Sequence, residues 1–141
     1  MTREEIASKI SLAQANHKKG YNCAQSVSCA FSDRTDFDEE TIFRLTEGLG
    51  LGMGGMQGMC GAIAAAGVLA GAKCSTGNLE APDSKASSYR LAKTCLERFK
   101  EKDGAVLCRD LKGVDTGNVL RPCSECISDA VTIIAELLYS E

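Results

Sequence analysis

Residues 48–72 carry no charged side chain, and nine of these 25 positions are glycine. No other stretch of the chain restricts its fold as strongly. The window is long enough to cross a bilayer. Glycine, however, adds almost nothing to membrane transfer and weakens a helix by about 1 kcal/mol relative to alanine. A glycine-rich loop over 48–58 followed by a buried helix over 60–72 therefore fits better than a membrane span. That helix is apolar on every side, which places it at the centre of the fold. Gly67 and Gly71, four residues apart, predict that another backbone approaches one of its faces closely.

The flanking sequence reads as helical. Thr2 and Glu5 have capping-box spacing ahead of a helix that turns Ile6, Ile10 and Ala13 to one side and stops at Gly20. Asn22 caps a second helix over 23–31, and the polar run 32–36 makes a turn. A third helix over 38–47 has an acidic first turn, which suits the helix dipole, and presents Ile42, Phe43 and Leu45. Residues 74–82 form a loop. The next helix, over 83–102, carries Tyr89, Leu91, Ala92, Cys95, Leu96 and Phe99 on a broad apolar face and ends at Gly104. Residues 105–111 form a short element of no clear type, and 116–120 a loop. Pro122 then opens a last helix to residue 138, with Ile127, Val131, Ile134, Ala135 and Leu138 facing inward. There is no convincing strand and no repeat. The expectation is an all-α fold in one domain over 1–141, a compact bundle of about six helices around the glycine- and alanine-rich one.

Sixteen Lys and Arg stand against nineteen Asp and Glu, a net charge of −3. No large positive field is available to hold nucleic acid. The charged start at residues 1–5 lacks the apolar run of an export signal, so a cytoplasmic setting with no membrane partner is expected. His17 is the sole histidine, placed near the end of the first helix where it is expected to meet the last carbonyls. A cysteine hydrolase, which needs a well-placed histidine base, is correspondingly disfavoured. So is a zinc site of mixed Cys and His ligands, although an all-cysteine one is not.

Eight cysteines, at positions 23, 29, 60, 74, 95, 108, 123 and 126, exceed what packing needs. A chain of this size without an export signal has no need of a disulfide framework, so reactive thiols or metal ligands are the better account. Cys23, Cys60 and Cys123 each stand at a predicted helix start, where unpaired amides and the helix dipole favour a thiolate. Cys123 and Cys126 form a C-x-x-C on one helical face, an arrangement used for disulfide exchange or for gripping a metal. No βαβ pattern surrounds it, so a thioredoxin-like assignment fails. Cys108 has the Arg109 guanidinium as neighbour. Cys95 reads as a packed core thiol. Cys29, about 240° around its helix from Cys23, is assigned to packing as well, and Cys74 to a looser, exposed setting.

Residues 50–55 are formally G-x-G-x-x-G, but a helix rather than a strand precedes them, so a nucleotide site is rejected. The glycines are better explained as letting backbone amides come close to Cys60 and whatever it holds, with Gly58, Met59 and Gly61 as the immediate candidates. Met53, Met56 and Met59 recur every third residue. They fit a flexible apolar lining of a buried site, ahead of Cu(I) ligation.

Residues 20–27 (Gly-Tyr-Asn-Cys-Ala-Gln-Ser-Val), the glycine run into Cys60-Gly61-Ala62, the stretch Cys108-Arg109-Asp110-Leu111 and the cysteines of the last helix together resemble the C_GCAxxG_C_C family over most of the chain. One departure is Ala65, which stands where the family motif has glycine. The resemblance implies an all-helical fold, redox work without a defined substrate, and four characteristic cysteines: Cys23, Cys60, Cys108 and either Cys123 or Cys126. A similar module occurs in split-Soret cytochromes alongside an iron–sulfur centre. The leading expectation is an iron–sulfur cluster held by Cys23, Cys60, Cys108, Cys123 and Cys126 for electron transfer to a redox partner protein. Metal-free thiol–disulfide cycling and soft-metal (Zn or Cu) binding are the alternatives. Any enzymatic activity would be that of an oxidoreductase, and the sequence leaves open whether a homodimer shares the site.

Overall fold

A computed structural model describes residues 1–140 and arranges them in seven α-helices, with no strand among the described residues. They are α1 (Arg3–Lys18), α2 (Cys23–Ala30), α3 (Glu39–Thr46), α4 (Gly61–Cys74), α5 (Lys85–Asp103), α6 (Cys108–Lys112) and α7 (Cys123–Leu138). Two starts are fixed by reciprocal capping. Thr2 accepts from the Glu5 amide at 3.1 Å while Glu5 accepts from the Thr2 amide at 2.9 Å. Asn22 and Gln25 repeat the exchange at 2.9 and 3.0 Å. Each exchange satisfies two amides that a helix end would otherwise leave unpaired.

The second cap also ties elements together. Asn22 Nδ2 donates to the Glu47 carbonyl at 2.8 Å and Gln25 Nε2 to the Phe43 carbonyl at 3.0 Å. The start of α2 is thereby pinned against the chain that leads into the glycine run.

α4 packs against α2, α5 and α7, and α1 closes the far side by packing on α2 and α7. Phe31, Ile63, Leu69, Phe99, Ile127, Ile134 and Leu138 fill the core between them. Burying each such side chain is worth about 1.5–3 kcal/mol, and the sum opposes the conformational entropy of the chain. α4 spans 14 residues, and no helix among the described residues is long and apolar enough to cross a membrane.

Three expectations about packing need correction. A Cβ built on Gly67 or Gly71 meets nothing within 4 Å, so no backbone covers that face, and Gly67 is exposed. α4 is central yet open on one side. On α3, Ile42 is buried but Leu45 is 73% exposed, and on α5 Tyr89 points largely to water while Cys95 and Phe99 are buried. The buried stripes are thus narrower than periodicity alone suggests. The element of no clear type at 105–111 resolves into the start of α6 and an isolated antiparallel bridge between Met59 and Leu107: the Cys60 amide donates to the Val106 carbonyl at 2.7 Å, and the Cys108 amide to the Gly58 carbonyl at 3.0 Å.

Candidate functional site

Four separate elements bring five cysteines to one cavity. Cys23 comes from the first turn of α2, Cys60 from the residue capping α4, Cys108 from the start of α6, and Cys123 and Cys126 from the first turn of α7. All five line a cavity of about 180 Å³, whose wall is completed by His17, Asn22, Leu51, Leu111, Lys112 and Arg121. The other cysteines lie elsewhere. Cys29 is buried and its Sγ donates to the Glu39 carbonyl at 3.8 Å, Cys95 is fully buried on α5, and Cys74 ends α4 half-buried.

The glycine run reaches the sulfurs through two close approaches. A Cβ on Gly61 would stand 2.6 Å from Cys23 Sγ, and one on Gly52 would stand 2.5 Å from the Cys108 Cβ. Gly52 also has φ of +57°, a conformation that side chains resist. Glycine at these two positions lets the chain pass directly behind the thiols. The strain continues on either side, since Leu51 and Met53 take φ of 53° and 63°. Non-glycine residues in that region occur where surrounding structure holds them.

Hydrogen bonds link three of the sulfurs in a line. Cys23 donates to Cys60, Cys60 to Cys126, and Cys126 Sγ to the Arg121 carbonyl at 3.8 Å. Backbone amides reach the sulfurs as the glycine-rich approach suggests, but from other residues: Leu51 and Ala24 serve Cys23, and Ala62 serves Cys60. Gly58, Met59 and Gly61 do not line the cavity. The carbonyl of Gly58 is spent on the Cys108 amide, and Gly61 acts by having no side chain. The methionines are not a lining either, since Met53 is 70% exposed and Met59 is exposed. Leu51 takes that place.

At Cys23 and Cys60 the helix start does not depress the thiol pKa. The hydrogen bond to Cys60, then burial, pushes Cys23 far up, and the hydrogen bond to Cys126 together with burial pushes Cys60 up to about 12. Burial also raises Cys108, against the opposing pull of Lys112. Desolvation and neighbouring thiols outweigh the dipole here. In the free protein these three sulfurs are neutral at pH 7, and binding a cation is what would deprotonate them.

Residues 21–137 match the family described as "Putative redox-active protein (C_GCAxxG_C_C)". The chain belongs to this family. No curated protein and no solved structure matches it. The family span runs from Tyr21, just before the α2 cap, to the last turn of α7, and so takes in all five cavity cysteines.

Several residues on or beside the cavity were not assigned to it by sequence. His17, expected at the helix carbonyls, lines it from the end of α1, and Lys112 lines it from α6. Arg121 sits on its wall with its guanidinium held by α7, where Nε and Nη2 both reach Asp129 Oδ2 at 3.0 Å. Behind Arg121, Asp103 is buried, with its Oδ1 3.5 Å from Arg121 Nε. Burial first, then the hydrogen bond it shares with Asp129, raises the Asp103 carboxyl to about 8. Burial acts against ionisation of Asp129 too, but contacts with Asp103, Arg121 and Lys102 hold it below the usual range. One proton is shared between two touching carboxyl groups. Lys112 and Cys108 are four apart, a signal for one shared face, but it is readable only once α6 is known.

Among the described residues, no three Cys, His, Asp or Glu groups converge so as to hold a single metal ion. Tetrahedral zinc with Zn–S of about 2.3 Å needs its sulfurs within about 3.8 Å of one another. The five thiols instead surround a cavity.

Proposed function

We propose that the protein is an electron-transfer protein whose Cys23, Cys60, Cys108, Cys123 and Cys126 hold an iron–sulfur cluster. The observation that carries this reading is the convergence of five thiols from four elements on one cavity of about 180 Å³. Thiolates that ligate a polynuclear cluster stand on different irons and therefore surround it, as these cysteines surround the cavity. The donor set is the one such clusters take, and a Cβ at Gly52 or Gly61 would collide with Cys108 or Cys23. When bound, a cluster supplies a one-electron couple. The chain's own contribution is to place the sulfurs, to offer them the amides of Leu51, Ala24 and Ala62, and to bury Cys60, Cys108 and Cys126. Eight free cysteines suit a reducing, cytoplasmic compartment, and the electron's other station would be a partner protein.

Anaerobically purified chain, reconstituted with ferrous iron and sulfide, is expected to absorb broadly near ~400 nm and to contain both elements. A colourless product without iron would defeat this reading.

The sulfur line from Cys23 through Cys60 to Cys126 favours a second reading, two-electron cycling between dithiol and disulfide. Joining Cys60 to either neighbour releases two protons and two electrons to a disulfide oxidant. Against it stands the neutral state of Cys23 and Cys60, because the thiolate is the attacking species. Counting free thiols before and after mild oxidation with oxidised glutathione tests it. Reversible loss of one pair would support the exchange, and no loss would exclude it.

A further inference from the structure

Lys112 is held at the cavity by the shortest of the seven α-helices. Cys108 and Lys112 open and close the five-residue α6, four positions apart, so both side chains share one face. Beyond Lys112 the helix ends at Gly113 in the left-handed conformation, with φ of 71°. The returning chain is then fastened to α6, the amides of Leu120 and Arg121 donating to the Leu111 carbonyl at 3.0 and 3.3 Å. Lys112 therefore reaches the cavity wall from a fixed frame.

Among the described residues, no acidic side chain lines the cavity and no carboxylate pairs with Lys112. The groups that act on its charge are the sulfurs of Cys123, Cys108 and Cys23. Arg121, by contrast, is already engaged by Asp129 and Asp103. The Lys112 ammonium is only partly withdrawn from water, and Cys123, as neighbouring charge and as hydrogen-bond partner, favours the charged form. Its counter-charge must come from what the cavity contains.

We propose that Lys112 is the charge-compensating positioning residue of the cysteine cavity, balancing the anionic charge of the occupied site and easing its acceptance of an electron. The redox part rests on the cluster reading above, whereas the positive potential at the cavity exists without a cluster. One electron passes to each site from the SO2 radical anion, half of a dithionite, so that one dithionite reduces two sites and takes up two waters to leave two bisulfites and two protons. No bond in the protein is made or broken, and the added negative charge is opposed by the ammonium.

Lys112→Met and Lys112→Arg test this in two states of the full chain. In the reduced, metal-free protein, Cys123 is alkylated by anionic iodoacetate and by neutral iodoacetamide, and mass spectrometry gives the two rates. Their ratio cancels changes in thiol reactivity and reports the local potential. At low salt the ratio is expected to fall about threefold or more in K112M and to hold in K112R. In the reconstituted protein, loss of one charge at roughly 10 Å through an effective dielectric of about 20 shifts a one-electron equilibrium about 15-fold, so the midpoint falls by ~70 mV in K112M and holds in K112R. An unchanged iodoacetate ratio in K112M overturns the proposal, and so does an unchanged midpoint in loaded K112M. A wild-type chain that takes up no iron overturns the cluster reading alone, and the alkylation ratio then decides the role of Lys112.

Discussion

Adding one methyl group at two places on α4 should move stability in opposite directions. Gly67 lies in the interior of the helix with open space around its Cα, whereas Gly61 begins the helix directly behind Cys23. At position 67 alanine removes the entropic disadvantage of glycine and meets nothing, so Gly67→Ala is expected to stabilise by about 0.5–1 kcal/mol. At position 61 the new Cβ would stand 2.6 Å from Cys23 Sγ, 3.0 Å from the Leu49 carbonyl oxygen and 3.1 Å from the Ala24 amide nitrogen. Favourable contacts begin near ~3.5 Å, so the neighbours must yield by roughly 0.4 to 0.9 Å. Two of the three are backbone atoms, and the Asn22–Gln25 cap holds that stretch in place. Overpacking of this kind costs about 1–3 kcal/mol. With a urea slope of about 2 kcal/mol/M, the midpoint should rise by ~0.3–0.5 M in G67A and fall by ~0.5–1.5 M in G61A. Urea titrations followed by helical circular dichroism under reducing conditions measure both. If G61A proves as stable as the wild type, or if both variants shift the same way, the close approach between Gly61 and Cys23 is not a feature of the fold.

Three further outcomes follow from particular side chains. Asp103 keeps its proton up to about pH 8 when folded, against 3.8 for an unperturbed carboxyl, so its contribution to stability is full below about pH 4 and is lost as pH rises toward 8. Asp103→Asn keeps the shape without the charge, and its stability relative to wild type should therefore increase between pH 5 and pH 8. Denaturation curves at the two pH values that stay parallel would refute this. Asn22→Ala removes the α2 cap and the bond to Glu47, for an expected loss of about 1–2 kcal/mol in urea unfolding. Cys95→Ala, far from the cavity, should lose about 1 kcal/mol of stability yet keep full iron uptake after reconstitution. Cys60→Ala should lose the iron, and equal uptake by the two variants would remove the cavity from the reading.

Helices whose ends carry their own chemistry were legible in the sequence. The Thr2–Glu5 and Asn22–Gln25 exchanges involve residues three apart, so spacing alone reveals them, and α1 and α2 begin where the caps say. α6 was not legible, because five residues give no measurable period. The pair Gly67 and Gly71 shows the limit from the other side. Spacing states that two residues share a face but not what covers it, and here the cover is solvent. The thiols follow the same division. Placement of Cys23 and Cys123 at helix starts is local and correct, but the pKa direction at Cys23 depends on the Cys60 sulfur from another element and on burial, which no local pattern records.

One missed group did leave a trace. Asp103 is an acid in the last turn of α5, where the negative end of the helix dipole disfavours it, and that conflict calls for an explanation. A solvated aspartate would tolerate the position at little cost, whereas this one is buried against Asp129 and beside Arg121. Arg121 in turn lines the cavity and supplies the carbonyl that ends the sulfur line. The unfavourable placement of Asp103 at a helix end is thus part of the frame that fixes Arg121, and through its carbonyl Cys126, at the site. Local rules were broken where the cavity wall had to be held, and a residue that contradicts its own helix is the kind of signal by which such a frame can be found in sequence.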